Sequence, residues 1–361
     1  MPEFDKIVVV TKKTALEELT ERFNTPQQAM FYVARAREQR IMQHAAEAPA
    51  RVHKPVQEED TSVEEYRDAH DAYHRALNIL KESVPSGIRV QFIERSFLPT
   101  FTFGESDLVV TLGQDGLVVN TAKYLGPQPL LAINPDPVRI DGILLPFTVN
   151  EAAPALHSAV EGRFNTHRIS MAMAELDNGQ VIHGLNDLYI GRQSHVSARY
   201  RLAYGDRAED QSSSGIIVST GAGSTGWFRS VVTGAAEIVR EFAHLDEAAA
   251  AKEKYRFDWE SDFLYYSVRE PFVSRTSSAQ MAFGRIDAGA TLEVISQMPQ
   301  NGVIFSDGIE EDYLAFNSGS TARIRLADRK LNLIANGRLS LHHGFREAVE
   351  LELMARHGAA A

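Results

Sequence analysis

Asp107-Leu108-Val109-Val110-Thr111-Leu112-Gly113-Gln114-Asp115-Gly116-Leu117 reads as a buried strand running straight into a glycine-bearing turn. A nearly continuous apolar, β-branched run belongs to a strand covered on both faces, and the spacing predicts a strand over Asp107 to Leu112 and a helix over Val118 to Tyr124. The glycines let the backbone approach a ligand, while Asp115 puts a carboxylate at the helix entrance. Two readings of that carboxylate stand. It is an N-terminal cap for orphan N–H groups, the commoner role at such a turn, or it is a general base or a contact to a Mg²⁺-nucleotide.

Upstream, Ile7 to Val10 is a second buried run, ending at Lys12-Lys13 and followed by a helical region from Ala15 to about Glu47. Lysines at the carboxyl edge of a parallel strand can face a phosphate or stand free in solvent. Ala48 to Thr61 reads as a linker, and Val63 to Ser83 as a charged helix. With strands over Ile88 to Ile93 and Leu130 to Asn134, strands alternate with helices, the pattern of a doubly wound parallel sheet. Residues 1–150 are therefore expected to form an α/β nucleotide-type domain.

After Glu151 the rhythm changes. A helix to about Gly162 leads into short strand-like stretches at Arg168 to Leu176, Val181 to Ile190, Ala198 to Ala203, Ile216 to Ser219, Leu264 to Val268, Thr291 to Ser296, Gly302 to Phe305 and Thr321 to Leu326. Residues 151–335 are expected to form a β-sandwich. Ala248 to Trp259 reads as a helical excursion within it. Arg346 to Arg356 reads as a last helix, within a 340–361 tail that packs back on the first domain.

The sandwich contains a second glycine loop, Thr220-Gly221-Ala222-Gly223-Ser224-Thr225-Gly226-Trp227, directly after a β-branched strand. Bare N–H groups, short hydroxyls and a helix start there would suit an oxyanion, phosphate being the natural guest; a Gly-rich surface loop is the alternative. Leu185-Asn186-Asp187 puts poor β-formers in a strand-like segment. Its amide and carboxylate can read ribose hydroxyls or an adenine edge, or mark a polar bulge.

Several classes fall away. Gly221 to Gly226 matches G-x-G-x-x-G literally but lacks the first-strand setting and the later acidic residue of a dehydrogenase, and no Gly-Lys-Ser/Thr follows for a Walker A loop. The twelve histidines include no H-E-x-x-H and are read as ordinary surface or core residues, so no metal site is assigned. With no cysteine, thiolate catalysis and Cys-ligated metals are excluded. A net charge of −11 argues against a general nucleic-acid binder. The first residues resemble neither a signal peptide nor a presequence, and no apolar run is long enough to span a bilayer, so the expectation is a cytoplasmic protein without membrane contact.

In order, Gly113 to Leu117, Ala132-Ile133-Asn134, Asn186-Asp187 and Thr220 to Trp227 resemble the Gly-Gly-Asp-Gly-Thr, Gly-Ile-Asn, Asn-Glu/Asp and Thr-Pro-Thr-Gly-Ser-Thr-Ala-Tyr patterns of the NAD kinases. The resemblance runs from about residue 5 to 335. It is strongest toward the divergent mitochondrial-type branch, through Asn134 to Arg139 with Gly142, Ser213-Ser214-Gly215, Arg269-Glu270-Pro271 with Arg275, and Val8 to Lys12.

That resemblance implies an N-terminal doubly wound α/β domain with a C-terminal β-sandwich, a ligand cleft between them, and a homodimer or homotetramer. It implies ATP- and Mg²⁺-dependent phosphorylation of the adenosine ribose 2′-hydroxyl of NAD to give NADP. By position, Asp115 would accept the hydroxyl proton, and Gly113 and Gly116 would present amides to phosphate. Asn186, Asp187, Thr220, Gly223, Ser224, Thr225, Trp227 and Ser230 would hold the dinucleotide. Gln114 replaces the second glycine of the first loop and Leu117 its threonine. These departures keep two alternatives open: a catalytically silent NAD-binding relative, and a kinase of another hydroxyl acceptor, as in the lipid and sphingoid kinases.

Overall fold

Alternate residues of one strand serve two cores. Ile7 and Val9 of β1 (Lys6–Thr11) pack into one cluster and Val8 and Val10 into another, as the two-residue period of a strand requires. The computed structural model describes residues 4–35, 63–243 and 255–335. β1 is followed by α1 (Ala15–Phe23), which stops at Asn24 in the left-handed region, and by α2 (residues 26–35). Next come α3 (Val63–Glu82), β2 (Arg89–Glu94), β3 (Asp107–Leu112), α4 (Asp115–Ala122), β4 (Pro129–Asn134), β5 (Phe147–Thr148) and α5 (Ala152–Val160). Strands β2-β1-β3-β4 are parallel neighbours. Helices α3 and α5 cover the Ile7 face and α4 covers the Val8 face.

The second half contains β6 (Asn165–Leu176), β7 (Val181–Gly184), β8 (Asp187–Arg192), β9 (Ala198–Tyr204), β10 (Arg207–Ser213), β11 (Ile216–Ser219), α6 (Trp227–Ala243), β12 (Leu264–Val268), β13 (Phe283–Ile286), β14 (Leu292–Ser296), β15 (Gly302–Ser306), β16 (Ile309–Ala315) and β17 (Thr321–Ala335). An antiparallel sheet ordered β13-β12-β11-β8-β15-β16 packs on β10-β9-β14-β17 with β6 and β7. Tyr200, Leu202, Val294 and Ile324 from one sheet meet Ile190, Ile216, Val218 and Ile304 from the other. The expected α/β part followed by a β-sandwich is the observed architecture. Strand β17 joins the two: antiparallel to β6 for most of its length, it pairs in parallel with β4 at Asn332 and Leu333.

Several boundaries differ from the sequence reading. Helix α4 starts at Asp115, not Val118, because Gln114 already takes the extended cap conformation. The stretch Val181 to Ile190 is two strands broken at Leu185-Asn186. Strands β10, β13 and β16 went unread; each ends or nearly ends a sheet, where polar residues replace the apolar alternation. Strand β17 runs past Leu326 through an irregularity before Lys330. The predicted linker at 48–61, the end of the first helical region, most of the 248–259 excursion and the 340–361 helix lie outside the described residues.

Candidate functional site

The turn after β3 is built from the core outward. Gly113 N–H donates to the Ile133 carbonyl of the neighbouring strand at 3.2 Å. A Cβ on Gly113 would stand 2.8 Å from Leu117 Cδ2, since Leu117 is tucked beneath the turn in the cluster under α4. The leucine standing for the family's threonine is therefore a core residue. Gln114 is exposed at the cap position and caps nothing with its side chain, while a Cβ on Gly116 would meet open space.

Asp115 is thus the first helical residue, not the cap. Its Oδ1 accepts the Leu144 N–H at 2.6 Å, which ties the start of α4 to the turn at Gly142. Burial pushes its carboxyl up from the ordinary carboxylate range, against amide hydrogen bonds from Leu144, Ile143 and its own N–H. Of the two lysines after β1, Lys13 is in a surface ion pair with Glu21 at 2.6 Å. Lys12 is half-buried, and that burial lowers its ammonium.

The Asn186-Asp187 turn and the Thr220 loop form one hydrogen-bonded unit. Thr220 N–H donates to the Asn186 carbonyl at 3.0 Å, and its hydroxyl bonds to the Leu185 and Asn186 carbonyls while accepting the Gly223 N–H. A Cβ on Gly223 would stand 1.9 Å from the Asn186 oxygen, and one on Gly221 1.9 Å from the Asp258 oxygen. These two glycines admit neighbouring protein backbone, a different use from the phosphate approach read from the sequence. Ser224 is buried with its hydroxyl on the Gly221 carbonyl at 2.7 Å. Thr225 is half-buried, and Ser230 is exposed one turn into α6.

Trp227 stacks on Tyr189 with ring centroids 5.7 Å apart, and the Arg269 guanidinium lies 5.3 Å from its ring centre. Tyr189 stacks in turn on Phe305 at 4.7 Å. The indole is therefore held by protein aromatics.

Asp307 is a site residue that the sequence reading missed. In the tight turn between β15 and β16 it takes a φ of 58°, and its carboxylate accepts the N–H groups of Leu185, Asn186 and Asp187 at 3.1, 2.7 and 3.2 Å. Its only signal is the Asp307-Gly308 pair, which marks a hairpin without naming the carboxylate's partners. Burial together with the Asp307 charge pushes the Asp187 carboxyl well up. Burial pushes Asp307 up as well, to about 6, but the amides of Asn186, Leu185 and Asp187 and the Lys123 charge oppose it, so Asp307 is the more readily ionised of the two carboxyls.

Leu117, Leu185 and Ala222, one from each motif, share a single hydrophobic cluster with Leu144 and Ile169. Lys123 at the end of α4 pairs with Asp312 of β16 at 3.2 Å, and Tyr124 donates to the same carboxylate at 2.9 Å. The first glycine turn is thereby braced against the unit that holds Asn186 and Thr220.

No family model matches the chain. Over 163 residues it is 29% identical to the NAD kinase of Citrifermentans bemidjiense, covering 41% of this chain and 53% of that protein. Over 130 residues it is 31% identical to the NAD kinase of Geobacter sulfurreducens, covering 34% and 45%. The chain spans about half the length of the curated relatives it matches. A crystal structure of yeast NADH kinase complexed with NADH has the same fold, with a TM-score of 0.53 and 15% identity over 96% of this chain and 88% of that one.

The fold is that of the class of two-part α/β and β-sandwich proteins to which the yeast NADH kinase belongs. In sequence, the chain is similar to NAD kinases over about two fifths of its length.

Proposed function

We propose that the chain transfers the terminal phosphoryl group of ATP to the adenosine ribose 2′-hydroxyl of NAD, giving NADP. The observation that carries this reading is the bracing of the Asp115 turn against the fused Asn186–Thr220 unit, motif by motif in the order seen in the NAD kinases. Phosphoryl transfer needs chiefly alignment and charge neutralisation. The cleft would lie between an α/β unit of residues 1–150 and a β-sandwich unit of 151–335.

In this assignment Asp115 accepts the proton of the attacking hydroxyl. Its carboxylate is aimed by the Leu144 amide, and its raised pKa makes it a better base than a solvated aspartate. The Gly116 amide faces phosphate, and the open space beside it leaves room; the Gly113 amide, expected to do the same, is taken by the Ile133 carbonyl, so Gly113 shapes the turn instead. Asn186, Asp187, Thr220, Gly223, Ser224, Thr225, Trp227 and Ser230 form the dinucleotide wall; of these, Thr220, Gly223 and Ser224 act by holding the loop, since the two hydroxyls and the Gly223 amide bond within the protein. Mg²⁺ would arrive with ATP and neutralise its phosphates.

Buried Leu117 keeps its side chain off the phosphate side of the turn, which favours a working kinase over the silent relative. A homodimer or homotetramer and a cytoplasmic location belong to the same reading. Among the described residues no helix is long and apolar enough to cross a membrane. Purified protein incubated with NAD or NADH, ATP and Mg²⁺ is expected to form NADP or NADPH. Absence of product with ATP and with polyphosphate, while NAD still raises the melting temperature, would establish the silent reading instead.

A further inference from the structure

His70 and His74 stand four residues apart on α3, so their imidazoles emerge one turn apart on the same face. Their ring centroids are 4.3 Å apart. Opposite them, at the third position of α1, is Glu17, whose Oε1 lies 3.0 Å from His74 Nε2. One ligand atom from each of Glu17, His70 and His74 falls within 4.8 Å of the other two.

These side chains are held from outside the cluster. The second carboxylate oxygen of Glu17 accepts the Thr14 N–H at 2.7 Å, completing the capping box of α1. The Thr14 hydroxyl lies 2.8 Å from His70 Nδ1. Glu17 and His70 also line a cavity of about 290 Å³, which leaves room for a water beside them.

We propose that Glu17, His70 and His74 form a binding site for a divalent transition-metal ion, zinc being the best match, with water completing a tetrahedral shell. Two imidazoles and one carboxylate are an established zinc donor set, and a metal–ligand distance of about 2.0–2.2 Å needs donors roughly 3.3 Å apart. The His74–Glu17 pair already stands near that separation. Thr14 supplies the outer hydrogen bonds that orient ligands in such sites.

The ion fastens α1 to α3 one residue from Tyr73. The Tyr73 hydroxyl accepts the Lys12 N–H at 3.0 Å and donates to the Leu112 carbonyl at 3.3 Å. It therefore holds the carboxyl ends of β1 and β3, where the Gly113 turn begins. The site stands apart from Asp115 and does not depend on the kinase reading.

The test is titration of the chelator-stripped full chain with Zn²⁺ by calorimetry, and with Co²⁺ by visible absorption. One saturable equivalent, a raised melting temperature and a tetrahedral Co²⁺ spectrum are expected. His74→Gln and Glu17→Gln should each weaken Zn²⁺ binding by roughly 10²-fold or more, with far-UV circular dichroism unchanged, while His157→Gln on α5 leaves it intact. If a variant unfolds, the wild-type Co²⁺ spectrum decides alone: octahedral or absent bands overturn the site. So does unchanged Zn²⁺ affinity in folded His74→Gln.

Discussion

A Cβ added to Gly223 would stand 1.9 Å from the carbonyl oxygen of Asn186, so the loop after β11 and the turn before β8 meet backbone to backbone. Neither backbone can give way cheaply, because Thr220 bonds to both sides of the contact. Gly223→Ala is expected to lower the melting temperature sharply and to weaken NAD binding. Gly234→Ala, on α6 with nothing within 4 Å, should stabilise by about 0.5–1 kcal/mol. Similar melting temperatures for the two variants would show that the contact is relaxed in solution.

Asp307 satisfies three backbone N–H groups at once. In Asp307→Ala these donors lose their acceptor, at a cost of about 1–3 kcal/mol for each one left buried and unpaired. Urea denaturation should show a loss of at least about 3 kcal/mol, with a smaller loss for Asp307→Asn, which keeps one acceptor oxygen. Equal losses in both variants would mean that the negative charge, not the acceptor geometry, is what the turn requires.

Asp187 sets a pH dependence of unusual sign for a carboxylate. Its folded pKa is raised by burial and by Asp307, so between the unfolded value, about 3.9, and the raised folded value the native state holds more protons than the unfolded state. The stability from this group is full below the unfolded pKa and is lost as pH rises through the folded one. Asp187→Asn removes that loss, so stability measured from pH 4.5 to 8 should shift progressively in favour of the variant. A constant difference across this range refutes the assignment.

If Asp115 takes the hydroxyl proton, Asp115→Asn keeps an oxygen to accept the Leu144 N–H but lacks the base. Turnover should then fall on the order of 10²–10⁴-fold, with little change in KM for NAD. A matching loss in both would make Asp115 a purely structural residue of the Gly142 turn.

Leu117→Thr restores the family's threonine, yet Leu117 is 3% exposed. The exchange removes buried methyl groups and buries a hydroxyl, so a loss of roughly 2 kcal/mol or more is expected, with no gain in NADP formation. A rise in activity would show that the hydroxyl reaches the phosphate.

What was legible in the chain was what neighbouring residues encode. Ile7 to Val10 and Asp107 to Leu112 announce strands covered on both faces, and both lie between helical layers. The polar edge strand Arg207–Ser213 announced nothing, because one side of its ladder is open and needs no apolar stripe. Gly221 and Gly223 were visible as glycines, but what each admits is carbonyl oxygen from Asp258 or Asn186, positions that no local pattern links to them. The same holds for Asp307 and the Leu185–Asp187 amides.

The α/β-then-β order and the succession of motifs at Asp115, Asn186 and Thr220 follow from the chain alone, since strand and helix periodicity and turn chemistry are local. The packing of the layers set which way those motifs face. It buried Leu117, left Gln114 in solvent, and brought Glu17 to a histidine 57 residues away. Contacts of that range depend on how the layers pack, and hydrophobic burial, being non-directional, specifies which residues go inside without specifying their partners.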